Sequence, residues 1–158
     1  MRVPRWLFTS LLPLSAWATR DPRRNGLLGR PLMRALGGAT LWMRGGRPQD
    51  SIETLGREWQ RMFPDPTINV IIRVDTDTVH AEIRTHCPYR GTGNVEGCHR
   101  MMEYDRKMLE HLGGELVVLR SQAEPGVTTC QVALRRRGAS TVDLPPAHLR
   151  ARAARSSE

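Results

Sequence analysis

Hydrophobic and polar positions along the chain change period several times, and each change marks an element. In SIETLGREWQRMF, residues Ile52, Leu55, Trp59 and Met62 recur at helical spacing, with Asp50 or Ser51 as cap, Glu53 in the first turn, and Pro64 and Pro66 as the stop. Residues 68–74 (INVIIRV) are β-branched and strand-like, and Asp75-Thr76-Asp77 reads as a turn. Residues 79–85 alternate, with Val79, Ala81 and Ile83 on one face and His80, Glu82 and Arg84 on the other. Asn94 then caps a helix predicted from Val95 to Leu112, and Gly113-Gly114 ends it. A second hairpin follows, from Glu115 to Ser121 and from Val127 to Leu134 about a Glu124-Pro125-Gly126 turn. Helix, hairpin, helix, hairpin predicts an α+β fold, a four-stranded antiparallel sheet packed against helices.

The flanks are different in kind. Trp6 to Ala16 is apolar behind a positive start at Arg2 and Arg5, and Ala16-Trp17-Ala18 has the form of a small-x-small cleavage site. Two readings are open: a docking helix on the domain or on a membrane surface, or an exported chain cleaved after Ala18. Residues 27–44 carry a second apolar helical pattern, broken by Gly37-Gly38, and Gly45-Gly46-Arg47-Pro48 reads as a linker. The chain thus divides into a helical extension at 1–49, an α+β core at 50–137, and a basic tail at 138–158 with the composition of a disordered segment.

Composition changes the picture in two ways. The net charge of +8 comes from 24 basic residues, all arginine but Lys107, the signature of a GC-rich, bacterial type of genome. Residues 1–50 carry nine basic and two acidic residues, 51–134 nine and twelve, and 135–158 six and two, so the basicity sits at the ends. A mildly acidic core with few aromatics argues against nucleic acid as a partner. Basic ends favour an anionic membrane surface or a protein partner met through residues 1–26. Three cysteines are too few for a disulfide scaffold and, facing a core, fit a cytoplasmic chain that is peripheral to a membrane at most.

Candidate chemistry gathers on those cysteines. Cys87 continues the inward register of its strand, Cys130 shares parity with Val132 and Leu134, and Cys98 lies in line with Met101, Met102, Asp105 and Leu109 on the helix. Buried cysteine is an ordinary small core residue. Three thiols on one interior also fit a metal site, with Cys87, Cys98, Cys130 and His99 as ligands for zinc or another transition metal. His86 is the other nearby imidazole, on the polar parity of its strand. Thiol chemistry is the third option, with Cys98 near a helix N-terminus as nucleophile and Asp105 as acid or base. A carboxylate on a core face needs a partner, for which Arg106 and Arg120 are nearest, or it takes up a proton. No nucleotide fingerprint or Ser-His-Asp pattern accompanies these residues.

The segments THCPYR, GCHRMMEYDR and EPGVTTCQVAL, within residues 50–135, resemble the L-2-amino-thiazoline-4-carboxylic acid hydrolase-like family. More distantly, the region is similar to ligand-binding domains of the 4-vinyl reductase type. In the family pattern the aspartate follows the helix cysteine more closely than Asp105 follows Cys98, and the N-terminal part here is shorter. The resemblance implies a hydrolase-like protein that binds a small molecule in a cysteine-lined pocket and acts on a heterocyclic or amidine C–N bond. Two alternatives stand beside it: a non-enzymatic sensor or chaperone for a small ligand, tetrapyrrole or metal, and a membrane-peripheral accessory subunit.

Overall fold

The structure is a computed structural model describing residues 5–157, with side chains described from Ser10 onward. The sequence-predicted positive start at Arg2 and Arg5 therefore lies outside the described residues or side chains. Helices α1 (Arg5–Arg20), α2 (Pro22–Arg24) and α3 (Arg30–Arg44), with a π turn over Asn25–Gly29, form an N-terminal helical hairpin. Then come α4 (Ile52–Arg61), β1 (Asn69–Val74), β2 (Thr78–Ile83), α5 (Val95–Met101), α6 (Glu103–Leu112), β3 (Gly114–Arg120), β4 (Cys130–Arg136) and α7 (Ala147–Ser156). The four strands make one antiparallel sheet, as the hairpin pattern predicts, and its strand order is β1-β2-β4-β3.

Register follows from alternation. Val79 pairs with Leu134, Ala81 with Val132 and Ile83 with Cys130, which puts the apolar parity of both strands on one face. Against that face lie Leu55 and Trp59 of α4 and Met108, Leu109 and Leu112 of α6, all buried. Ser51 caps α4 by accepting the Thr54 N–H, and Gly113, at φ 91°, ends α6 in the left-handed conformation that favours glycine.

Four sequence expectations need correction. Gly37-Gly38 does not break α3; it is where α3 crosses α6. A β-carbon at Gly37 would stand 2.7 Å from the Tyr104 carbonyl oxygen, so the missing side chain permits the close approach. The helix expected from Val95 to Leu112 divides at Met102, whose ψ of 2° bends the chain between α5 and α6. Arginines 135–137 do not close the fold, because Arg135 is buried in β4 and its guanidinium grips both carboxylate oxygens of Asp143 at 2.6 Å.

The tail expected to be disordered is the fourth. Leu144 and Ala147 are buried, and α7 packs on α5 and β3. Arg152 of α7 reaches Glu96 at 2.9 Å. Such anchors are spaced too far apart to register as a periodic pattern.

Candidate functional site

The three thiols converge at one end of the sheet. Cys130 opens β4, Cys98 sits in the second turn of α5, and Cys87 lies in the loop that follows β2. That loop is tied down by Gln122, which is fully buried. Its side-chain oxygen accepts the Cys87 N–H at 3.2 Å and Arg90 Nε–H at 2.9 Å, and its amide donates to the carbonyls of Ile83 and Thr85 at 3.2 and 2.9 Å. Backbone N–H groups also meet sulfur: Tyr89 donates to Cys87 Sγ at 3.4 Å and Gln122 to Cys130 Sγ at 3.3 Å.

Hydrogen bonding gives the three sulfurs unequal roles. Cys98 lies between the other two and interacts with both, and with the Ser121 hydroxyl. Donation from the Cys130 and Cys87 thiols holds the Cys98 thiol well below its ordinary range, with Arg106 adding a favourable charge against the cost of burial. The flanking thiols pay the reverse effect, since each is held protonated chiefly by its bond to Cys98 and then by burial. The arrangement favours the thiolate form at Cys98, with Cys87 and Cys130 as its donors.

Asp105 is the second unusual group. It is buried, and its partner is neither Arg106 nor Arg120, the two arginines expected from the sequence. Trp59 of α4 donates its indole N–H to Oδ1 at 3.1 Å. Arg106 is engaged elsewhere, donating to the His99 carbonyl at 2.7 Å and to Glu103 at 3.1 Å. Burial pushes the Asp105 carboxyl up to about 7; negative charge at Cys98 adds to the rise, and Trp59 and Arg106 oppose it.

Cys87, Cys98, Cys130 and Asp105 all line one cavity of about 280 Å³. Its walls are largely apolar: Leu11 and Leu12 of α1, Leu36 and Ala39 of α3, Phe63 after α4, and Ile68 and Ile83 beside the sheet. Sulfur is heavily represented, because Met33, Met43, Met62, Met101 and Met102 join the three cysteines. Thioethers are polarisable and adapt to varied ligand shapes. Polar atoms on the lining include the Thr85 hydroxyl and Arg44 Nε, both buried without a hydrogen-bond partner. Groups of that kind are satisfied when a ligand or water occupies the space.

His99 does not join the thiols. One residue along a helix is a rotation of about 100°, and this turns its ring toward α7, where it stacks on His148 with centroids 3.6 Å apart. Its Nδ1 accepts from the Arg106 guanidinium at 2.8 Å, so the ring proton is on Nε2, and burial followed by the Arg106 charge brings His99 down to about 4. The four-ligand set of Cys87, Cys98, Cys130 and His99 is therefore not assembled, and among the described residues no three His, Cys, Asp or Glu side chains are placed to hold a metal ion. His86 is exposed at the cavity's edge.

Several lining or supporting residues carry no signal in the sequence. Gln122 is a lone polar residue beside a turn, and Trp59 is one member of an apolar stripe. Met33 and Met43 come from a segment with no visible link to the cysteines. Comparison with family models, curated proteins and solved structures returns no match.

Proposed function

We propose that the protein binds a compact, largely apolar small molecule in the sulfur-lined cavity and presents it to Cys98 and Asp105. The carrying observation is that three thiols and a buried carboxyl line one cavity whose surface is otherwise largely apolar. A space of about 280 Å³ suits a small ligand, and a few placed polar groups in an apolar surround give orientation. This favours the ligand-holding alternative over a water-rich active site. N-phenyl-1-naphthylamine, a neutral probe that fluoresces in apolar surroundings, tests it. Wild type and Cys98→Ser should bind the probe, while Ser15→Phe, which fills the cavity from α1, should lose binding with an unchanged melting curve. Absence of binding by the wild type overturns the proposal.

A hydrolytic reading draws on the opposed shifts of Cys98 and Asp105, a nucleophile held as thiolate beside an acid still able to carry a proton near neutrality. The Cys98 thiolate would add to an amidine carbon while Asp105 protonates the nitrogen. Expulsion of the amine and attack by water would then release the thiol. 2-Chloroacetamidine, whose cation can pair with Asp105, should alkylate Cys98 several-fold faster than chloroacetamide. Equal rates in the wild type, or a preference that Asp105→Asn leaves intact, would remove this reading.

A further inference from the structure

Helix α1 is apolar on two opposite sides. One side turns inward, where Leu11 and Leu12 line the cavity and Ser15, Ala18 and Thr19 are buried or nearly so. The helix is fixed in that orientation at its C-terminal end. Tyr89 donates its hydroxyl to the Ala16 carbonyl at 2.8 Å, and Arg100 donates to the Thr19 and Arg20 carbonyls at 2.7 Å. The other side carries Leu14 and Trp17, half exposed, with Pro13. An amphipathic helix of a self-contained domain turns polar residues outward, so this outer side is unpartnered.

The neighbouring segment continues the same surface. Leu27, 79% exposed, and Leu28 lie on the π turn that packs against α1, and α3 exposes Pro31, Ala35 and Trp42, the last at 85%. Arginines ring the tip: Arg20, Arg23 and Arg30 are exposed, and the Arg24 guanidinium covers the Trp17 ring at 4.4 Å. Two acidic residues lie there: the Asp21 carboxylate is engaged by the Arg23 and Arg24 N–H groups at 2.9 and 3.1 Å, and Glu103 pairs with Arg30 at 3.3 Å. The tip therefore carries exposed apolar residues beside exposed arginines.

We infer that the outer face of the α1–α3 hairpin docks on an anionic phospholipid bilayer, with Leu14, Trp17, Leu27 and Leu28 entering the headgroup region and the arginines meeting lipid phosphates. Tryptophan and leucine flanked by arginine is the side-chain set that lies in such an interface. The charge complementarity selects an anionic bilayer over a second copy of the chain, since two copies would bring the same arginines together. The face rests on the bilayer instead of crossing it: among the described residues no helix is long and apolar enough to cross. Docking in this way does not depend on what the cavity holds.

The test is co-sedimentation of the full chain with unilamellar vesicles of phosphatidylcholine, pure or containing one third phosphatidylglycerol. Binding to the anionic vesicles is expected, with little to the neutral ones, and it should weaken as salt is raised. The variant Trp17→Ser/Leu27→Ser/Leu28→Ser changes only exposed side chains, so its melting curve should match the wild type while its vesicle affinity falls roughly tenfold or more. Arg20→Gln/Arg23→Gln should weaken binding and flatten the salt dependence. No binding to anionic vesicles, binding equal on both lipids, or binding unchanged by the triple variant overturns the inference. So does a concentration-dependent dimer that the triple variant disperses, because the occupant would then be a second copy.

Discussion

A carboxyl group with no counter-ion inside a folded chain keeps its proton longer than one in water, and Asp105 is such a group. Its folded affinity, pushed up to about 7 from the ordinary 3.8, means that the native state binds a proton the unfolded chain has released. The sign follows: this contribution is full below about pH 4 and is lost as pH rises through 7, a difference on the order of 4 kcal/mol in the fully buried limit. Asp105→Asn keeps an oxygen for the Trp59 N–H and cannot ionise. Urea titrations should find it close to wild type at pH 4 and more stable at pH 8; an equal offset at both would refute the assignment. Cys98 runs the other way, since a thiol held below its ordinary range adds stability above the unfolded thiol's range and loses it as pH falls through the folded one. Negative charge at Cys98 helps raise Asp105, so Cys98→Ser should move the Asp105 transition to lower pH. Iodoacetamide at neutral pH, followed by peptide mapping, should label Cys98 well ahead of Cys87 and Cys130. Labelling of all three at one rate would dismantle the unequal-sulfur description.

Among the elements, α3 gives the sharpest contrast between neighbouring positions. Gly37 meets the Tyr104 backbone where its β-carbon would be, whereas a β-carbon at Gly38 has nothing within 4 Å. Gly37→Ala should therefore lower the melting temperature by pushing α3 off α6, and Gly38→Ala should raise stability by up to ~1 kcal/mol through helix propensity. Thermal melts showing the same sign for both would contradict the crossing. Asp143→Ala, which frees the buried Arg135, should cost several degrees and loosen the 137–146 segment toward proteolysis. The strands were legible because a sheet with one buried face prints a period of two, and that parity also placed Cys130 inward. Adjacency misled at His99, where the next residue after Cys98 is turned about 100° around the helix, toward α7. Gly-Gly read as a break because a glycine's spacing does not reveal the helix that will lie against it. The tail's few anchors, Leu144, Ala147 and Arg152, leave too little periodic signal among its arginines.

At the scale of the whole molecule, the inward placement of Cys98 and Cys130 was readable from local periodicity. Cys87 lies beyond the end of β2 at Ile83, where strand register no longer applies, and the space in front of the thiols was not readable at all. A cavity is made by what surrounds it, and more than a third of this one's lining residues come from α1 and α3, segments whose only sequence signal was apolar helicity. Among the lining residues Cys98, Cys130, Met33 and Ser15 are buried, while Leu11, Leu12, Leu36, Met43 and Ala39 on the hairpin are partly or fully exposed. An entrance along that edge of the hairpin would lie next to the outer face proposed to rest on a bilayer. Two thiol reagents then behave differently once anionic vesicles are present. Charged 2-sulfonatoethyl methanethiosulfonate, which must arrive through water, should modify Cys98 more slowly on vesicles than in solution. Neutral benzyl methanethiosulfonate, which partitions into lipid, should keep or gain rate. In each case the thiolate displaces a sulfinate and forms a mixed disulfide, so the chemistry at sulfur is the same and only the route of approach differs. Equal slowing of both reagents would mean that docking closes the cavity. Unchanged rates for both would put the entrance at the His86 edge, away from the lipid, and would separate the docking face from the site it encloses.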